Sequence, residues 1–218
     1  MTGNAIRTMP GICRSLNGVW AFVTLALACL CLTTTSASAK PSLAPQSLTK
    51  TSHLPHVNPQ FRHPADLHQL FFLQRTINAN TVVYTAHFDA SGNLDTDTPV
   101  AVYWRRFQEN GQVMPLRWYE RAFGFGVRWR KSDTPNALRF TFNGLKSQEL
   151  ELRQTGPFSA AIFARINNRD YRLIYAYLDV DESGLFPKVT RLRLYTNDPL
   201  TGLYVTHTIA VSGGAYTE

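Results

Sequence analysis

Apolar and polar side chains alternate with a period of two along most of the chain after Leu70, and no other feature constrains the fold as strongly. In one run, Val102 and Trp104 share a face, and Arg105 lies on the opposite face. Successive side chains of a strand point to opposite faces of its sheet, so this pattern is typical of half-buried antiparallel strands. Such strands are predicted at residues 70–75, 81–88, 100–105, 126–131, 138–142, 149–153, 158–166, 171–180, 191–195 and 203–211.

Turn-forming residues separate these runs, as at Asn143-Gly144 and Asn167-Asn168. About ten short strands joined by tight turns predict an all-β fold, either an antiparallel barrel or a two-sheet sandwich. At most one short helix is expected, at residues 116–123. Several strands of only about six residues argue against an outer-membrane barrel, whose strands need about 9–11 residues to span a bilayer.

The first 39 residues have the features of an export signal. Arg7 and Arg14 precede a nearly continuous apolar stretch at residues 19–32, and Ala37-Ser38-Ala39 fits a cleavage site. Cleavage there removes all three cysteines and lowers the formal net charge by two, from +7 to +5. We therefore expect a secreted or periplasmic protein without disulfides, thiolate metal sites or a transmembrane span.

Prolines are dense between residues 40 and 69, where the apolar pattern is weak. Because proline lacks a backbone N–H and fixes φ, this composition favours an extended linker. The predicted organisation is therefore a signal peptide at 1–39, a linker at 40–69, a single β domain at 70–212 and a tail at 213–218.

Basic and aromatic residues are interleaved between Tyr103 and Lys131. This region contains seven basic residues but only two acidic ones, Glu109 and Glu120. The excess of five positive charges equals the whole net charge expected after cleavage. Guanidinium groups bind carboxylate and phosphate in a bidentate manner, so the region is a candidate site for an anionic or amphipathic small molecule, a glycan or a lipid head group. Nucleic acid is an unsuitable partner for an exported protein. The candidate ligand-binding residues are Arg75, Trp104, Arg105, Trp129 and Arg165.

The same alternation has a simpler interpretation, in which the aromatic residues face the core and the arginines form a solvated face. His207 illustrates the simpler case, because it shares a strand face with Val205 and Ile209. A histidine in that position is expected to be a hydrogen-bonded core residue.

An acidic segment begins at Asp179 and offers a weak calcium-loop hypothesis. Asp179, Asp181 and Ser183 supply oxygens at alternate positions before Gly184, but Thr190 stands where such a loop requires a bidentate glutamate. An acidic hairpin turn is the alternative interpretation. No other cofactor is indicated, no catalytic motif is found, and the catalytic residues, if any, stay unassigned.

Several segments resemble an uncharacterised family of exported bacterial domains of unknown function, the 4833 family. The resemblance is carried by Gln74-Arg75, by the Pro99–Trp104 run PVAVYW, and by Phe123-Gly124-Phe125-Gly126-Val127. It extends over roughly residues 70–211 and implies an exported domain, without implying an activity or site residues.

These features favour an exported, non-enzymatic binding module for an amphipathic or anionic ligand. The alternative is a structural or interaction domain of the cell envelope. A third hypothesis is a hydrolase that uses carboxylates near Asp179, Asp181 and Glu182 together with Glu120.

Overall fold

The computed structural model describes residues 47–184 and 188–211, which fold almost wholly into strands. The strands are β1 (Ser47–Thr51), β2 (Gln69–Arg75), β3 (Asn78–Ala86), β4 (Val100–Arg106), β5 (Gln112–Pro115), β6 (Val127–Lys131), β7 (Ala137–Phe142), β8 (Leu145–Gly156), β9 (Ser159–Ile166), β10 (Arg169–Asp181), β11 (Lys188–Asn197) and β12 (Tyr204–Ala210). A 3₁₀ turn lies at Phe107–Glu109, and the short helix α1 (Trp118–Glu120) continues as a wider helical turn at Arg121–Phe125. The predictions of an all-β fold and of one short helix are confirmed.

The strands belong to one sheet that curls into an open half-barrel. Its centre is β10, which pairs with β9 through Arg169–Arg172 and then with β2 through Tyr175–Leu178. Because β9 and β2 follow each other along β10, the sheet divides there into two arms, β2-β3-β4-β5 and β9-β8-β7-β6. The pairing of β10 with β2 is parallel, whereas every other strand pair within the described ranges is antiparallel. The β11 and β12 strands continue the sheet to β1.

The main core lies between the two arms. Phe71 of β2 meets Phe140 of β7 across it, with ring centroids 6.3 Å apart, and Tyr84 of β3 meets Phe142 at 5.7 Å. The predicted alternation holds here, since Leu138, Leu150, Leu152, Leu192, Leu194, Val205 and Ile209 are all buried. His207 also lies in this core, as expected, but neither of its ring nitrogens has a hydrogen-bond partner among the described residues.

The segment predicted as a linker is part of the fold over its described residues, 47–69. Ser47–Thr51 pairs with β12, and the irregular chain that follows packs Leu54, Val57 and Phe61 on the outer face of the sheet. That face is too apolar to be left in water, because it carries the buried residues Phe72, Val83, Tyr175, Tyr177 and Tyr195. The prolines of this segment are compatible with irregular chain covering a sheet, so their density did not imply a free linker.

Local turn chemistry agrees with the sequence. Asn167 and Asn168 both adopt positive φ, near 50° and 61°, which is the conformation required by a two-residue hairpin between β9 and β10. Within the described ranges, no helix is long and apolar enough to cross a membrane. The predicted signal peptide at 1–39 and the tail at 213–218 lie outside the described residues.

Candidate functional site

A cavity of about 290 Å³ remains in the interior of the curled sheet, next to the main core. Its walls are mostly apolar and include Leu73, Tyr84, Ala176, Leu178 and Leu194. These side chains come from β2, β3, β10 and β11, so the concave face of the half-barrel forms the floor of the cavity. The volume is at the lower end of the range of about 300–1,000 Å³ that small-molecule sites occupy.

Arg75 is the charged side chain of this cavity. It shares a face of β2 with Phe71 and Leu73, which points it into the interior. Its Nη2 donates a long hydrogen bond of 3.4 Å to Asn78 Oδ1, and its buried Nε has no partner among the described residues. The buried Nε atoms of Arg169 and Arg193 also have no partner among the described residues, but those arginines form ion pairs with Asp198 and Asp179. An unsatisfied buried donor on a charged group without an ion pair calls for an explanation.

Burial lowers the pKa of Arg75, and the charges of Glu120 and Glu182 act in the opposite direction. The group still stays protonated, because arginine is not deprotonated in proteins. No ion pair between Arg75 and a carboxylate occurs in the part of the chain that the structure describes. The cavity therefore contains a cation that the surrounding protein does not neutralise by direct contact.

Aromatic rings hold the Arg75 guanidinium in place. Its central carbon lies 4.7 Å from the ring centroid of Trp104 and 5.8 Å from that of Phe125, within the range of cation–π attraction. Trp104 is itself fixed, because its Nε1 donates to Glu120 Oε2 at 3.1 Å. The predicted residues Arg75 and Trp104 are thus brought together, and Arg75 lines the cavity directly.

The helical turn after α1 forms one wall of the cavity and is locked to the β7–β8 turn. Asn143 Nδ2 donates to the Arg121 carbonyl at 2.7 Å, and the Gly144 N–H donates to the Gly124 carbonyl at 2.9 Å. Gly126 permits this close approach, since a Cβ atom there would lie 2.1 Å from the Arg121 carbonyl oxygen. The turn also binds the core, because the Tyr84 hydroxyl donates to the Phe125 carbonyl at 2.9 Å.

Arg105 has a structural partner and does not line the cavity. Its Nε donates to Asp66 Oδ2 at 2.9 Å, and the Tyr103 hydroxyl donates to the same oxygen at 2.8 Å. The hydrogen bonds from Arg105 keep the pKa of Asp66 below its usual value. This arginine therefore ties residue 66 of the N-terminal segment to β4.

Trp129 and Arg165 lie elsewhere on the molecule. Trp129 is 39% exposed and lines a separate depression near Thr96, to whose carbonyl its Nε1 donates at 3.3 Å. Arg165 is largely exposed and approaches Asp170 only to 4.0 Å, in a mixed-charge depression that also contains Glu151. The five predicted ligand-binding residues therefore do not form one site. Of the five, only Arg75 and Trp104 are in contact with each other.

The acidic residues singled out in the sequence are engaged in pairs and turns. Asp179 forms an ion pair with Arg193, and Asp181 Oδ1 accepts the Ser183 N–H at 2.9 Å in an exposed turn. Within residues 47–184 and 188–211, no group of three or more His, Cys, Asp or Glu side chains is arranged to hold a metal ion. Glu120 accepts hydrogen bonds from Trp104 and from the Arg117 backbone, so it fixes Trp104 and the start of α1.

Sequence reasoning missed the apolar lining of the cavity. Leu73 follows the alternation of β2, but Leu173 and Ala176 both face inward only because β10 is irregular between Leu173 and Tyr175. A void between inward side chains also depends on how the two arms pack. The sequence places Phe125 in an aromatic and glycine-rich run but does not predict that it contacts Arg75. Its position against Arg75 follows from the locked helical turn, which has no local sequence signal beyond the glycines.

Fold and site together define a class: an all-β protein whose half-barrel encloses a small apolar cavity with one unneutralised arginine. A family model described as a domain of unknown function (DUF4833) matches residues 71–207, and the chain belongs to that family. The match begins within β2 and ends at His207 in β12, and so includes nearly all of the residues that line the cavity. Among curated proteins and among solved structures, none matches the chain.

Proposed function

We propose that this chain is an exported, non-enzymatic protein that binds an amphipathic anion. The apolar part of the ligand occupies the cavity, and its anionic group contacts Arg75. The observation that carries the proposal is the half-buried Arg75 guanidinium, which lies against Trp104 and Phe125 beside an apolar cavity and whose buried Nε has no partner among the described residues.

The chemistry of Arg75 suits an anionic head group. A guanidinium offers five donors in a planar fork that matches carboxylate, phosphate and sulfate groups. Charge-assisted hydrogen bonds of this kind are stronger where water is excluded, and each is worth about 1.5–3 kcal/mol. A bound anion would neutralise the cation and satisfy the orphaned donor, so one ligand resolves both features.

The rest of the cavity suits an apolar tail. Leucine, valine and aromatic side chains form most of its wall, and binding in such a space is driven by removal of apolar surface from water. The volume of about 290 Å³ favours one short hydrocarbon chain or one compact ring system. Small β-barrels hold single ligands in their interiors in the same way, and we treat the concave side of the half-barrel as an equivalent interior.

The other hypotheses have less support in the geometry. The candidate hydrolase carboxylates are paired with arginine, exposed on a turn or used to cap α1. The envelope-interaction hypothesis gives no role to the cavity or to the half-buried charge of Arg75 that lines it.

The proposal is tested by titrating dodecanoate calorimetrically into the chain that starts at Lys40. Dodecyltrimethylammonium, which has the same tail and the opposite charge, is the control ligand. We expect saturable binding of one dodecanoate and much weaker binding of the cation. Loss of one or two charge-assisted hydrogen bonds predicts that Arg75→Gln weakens dodecanoate binding by about 10- to 100-fold.

Arg165→Gln is the matched control variant, because it removes the same charge from an exposed position outside the cavity. We expect its affinity to stay within about twofold of the parent, as is usual for surface changes. Equal binding of the two ligands, or an unchanged affinity in Arg75→Gln, would overturn the proposal.

A further inference from the structure

Three large aromatic side chains project from one short segment at the mouth of the cavity. We call residues 117–123 the helical loop. Trp118 is 75% exposed, Tyr119 is 42% exposed and Phe123 is 59% exposed. The Trp118 ring lies 5.9 Å from that of Tyr119 and 6.2 Å from that of Phe123, measured between centroids. Grouped exposed aromatic residues of this kind mark an interaction site.

The helical loop is also basic on its exposed side. Arg117 and Arg121 are exposed, and Arg117 Nη1 donates to the Tyr119 hydroxyl at 2.8 Å. The single carboxylate of the helical loop, Glu120, accepts hydrogen bonds from the Arg117 backbone N–H and from Trp104 Nε1. Glu120 is therefore turned toward the body of the protein, and the arginines dominate the charge presented outward.

The backbone next to the exposed rings is fixed by hydrogen bonds. The helical loop is fixed by the hydrogen bonds from Asn143 and Gly144 to the carbonyls of Arg121 and Gly124. The Gly126 carbonyl accepts a further bond from the Asn143 N–H at 2.8 Å. Holding a surface in its bound form before contact reduces the entropy lost on association.

We propose that the helical loop docks on the surface of an anionic lipid bilayer. Tryptophan and tyrosine concentrate at the membrane interface, where their rings are half in water and half in hydrocarbon. Arginines beside them are attracted by anionic head groups. A protein partner is the weaker candidate, because seven residues are far fewer than the 20–30 that each side of a stable protein interface contributes.

Docking in this way brings the cavity mouth to the lipid. Phe123, in the helical loop, and Gly124, the residue after it, also line the cavity that contains Arg75. This inference goes beyond the proposed function and does not depend on it, because a bilayer can be bound by the helical loop whether or not the cavity holds a ligand.

The test is co-sedimentation of the chain starting at Lys40 with vesicles of equal parts phosphatidylglycerol and phosphatidylcholine. This chain contains all of the described residues, 47–184 and 188–211. We expect binding to the mixed vesicles at low salt, much weaker binding to pure phosphatidylcholine vesicles, and weakening at 0.5 M salt.

Two sets of variants locate the contact. Each arginine near an anionic surface is worth about fivefold in partitioning, so the double variant R117Q/R121Q should bind roughly 30-fold more weakly. Trp118→Ser should lose about tenfold or more, since it removes a large ring from the interface. Arg172→Gln and Leu200→Ser remove an exposed charge and an exposed apolar side chain elsewhere, and should bind as the parent does.

Urea midpoints equal to that of the parent establish that these variants are folded. Dodecanoate titration of Trp118→Ser separates the two proposals, since Trp118 does not line the cavity. Parent-like vesicle binding by R117Q/R121Q and Trp118→Ser, or equal binding to charged and uncharged vesicles, overturns the docking proposal. Loss of dodecanoate binding in Arg75→Gln with vesicle binding unchanged supports both proposals independently.

Discussion

Replacing Arg75 with methionine should stabilise the protein and at the same time weaken its binding of anions. Methionine has a similar length and flexibility and fits irregular apolar space, so the substitution removes the charge without opening a large void. The prediction follows from the position of Arg75, which is half-buried at the cavity, with a fully buried Nε and no contacting carboxylate. If Arg75 instead served to stabilise the fold, Arg75→Met would lower the free energy of unfolding.

The magnitude follows from two opposing contributions. Cation–π contacts with Trp104 and Phe125 stabilise the guanidinium by about 0.5–2 kcal/mol. Full desolvation of an ion costs several kcal/mol, and the smaller cost for this half-buried guanidinium still exceeds that gain. We therefore expect Arg75→Met to raise the free energy of unfolding by about 1–2 kcal/mol. For a domain of this size, that corresponds to about 2–8 °C in Tm.

Urea unfolding at pH 7.5, followed by circular dichroism, measures the change as a shift in midpoint at constant m-value. Arg105→Met is the matched control, because Arg105 contacts the largely buried carboxylate of Asp66. Removing that partner should lower the free energy of unfolding by about 2–3 kcal/mol, since it leaves a buried charge uncompensated. If Arg75→Met instead destabilises the protein by more than about 1 kcal/mol, Arg75 is a structural residue and the reasoning fails.

Three further predictions concern the fold. Burial lowers the pKa of His207 to about 4, so the unfolded chain takes up a proton first as pH falls from about 6.5 to 4, and stability is lost in that range. His207→Leu should reduce this loss by about 2 kcal/mol at pH 5, measured from urea midpoints. Burial also lowers the pKa of His63 to about 4, so His63 should supply the loss that remains. The hydrogen bonds from Arg105 depress the pKa of Asp66, so the contribution of Asp66 to stability is present above about pH 4 and is lost as pH falls through the folded pKa. Asp66→Asn should therefore lower the free energy of unfolding by about 2 kcal/mol at pH 7 and by much less at pH 2. Equal losses at both pH values would contradict this. Gly126→Ala should destabilise the protein by more than about 2 kcal/mol, since its Cβ would lie 2.1 Å from a carbonyl oxygen, and a parent-like midpoint would contradict the observed packing.

The all-β architecture was predictable because many strands alternate buried with less buried residues, although β2 and β3 are buried on both faces. The sequence run from Leu138 to Phe142 shows this, since Leu138 and Phe140 are buried in β7 as the alternation requires. The parallel pairing of β10 with β2 was not predictable, because it joins residues about a hundred positions apart and has no local signal. Likewise, β1 was missed because its partner β12 lies at the other end of the domain.

The candidate site was predictable only in part. Arg75 stands out in the sequence because it shares a strand face with Phe71 and Leu73, where an arginine is unexpected. Arg105 lies on an alternating run of the same type. Its carboxylate partner, Asp66, lies in the proline-rich segment, which the sequence predicted to be a linker that does not pack on the sheet. Alternation separates inward from outward side chains, but it does not report which inward side chains leave a space between them.

The central claim is that Arg75 holds the anionic end of a ligand whose tail occupies the cavity. Side-chain ¹H–¹⁵Nε spectra of the arginines, recorded while dodecanoate is added, test this claim most directly. We predict a saturable shift of the Arg75 Nε–H resonance, accompanied by methyl shifts of Leu73, Leu178 and Val189 along the cavity wall. An Arg75 resonance that stays unchanged while surface arginines such as Arg165 respond would contradict the account.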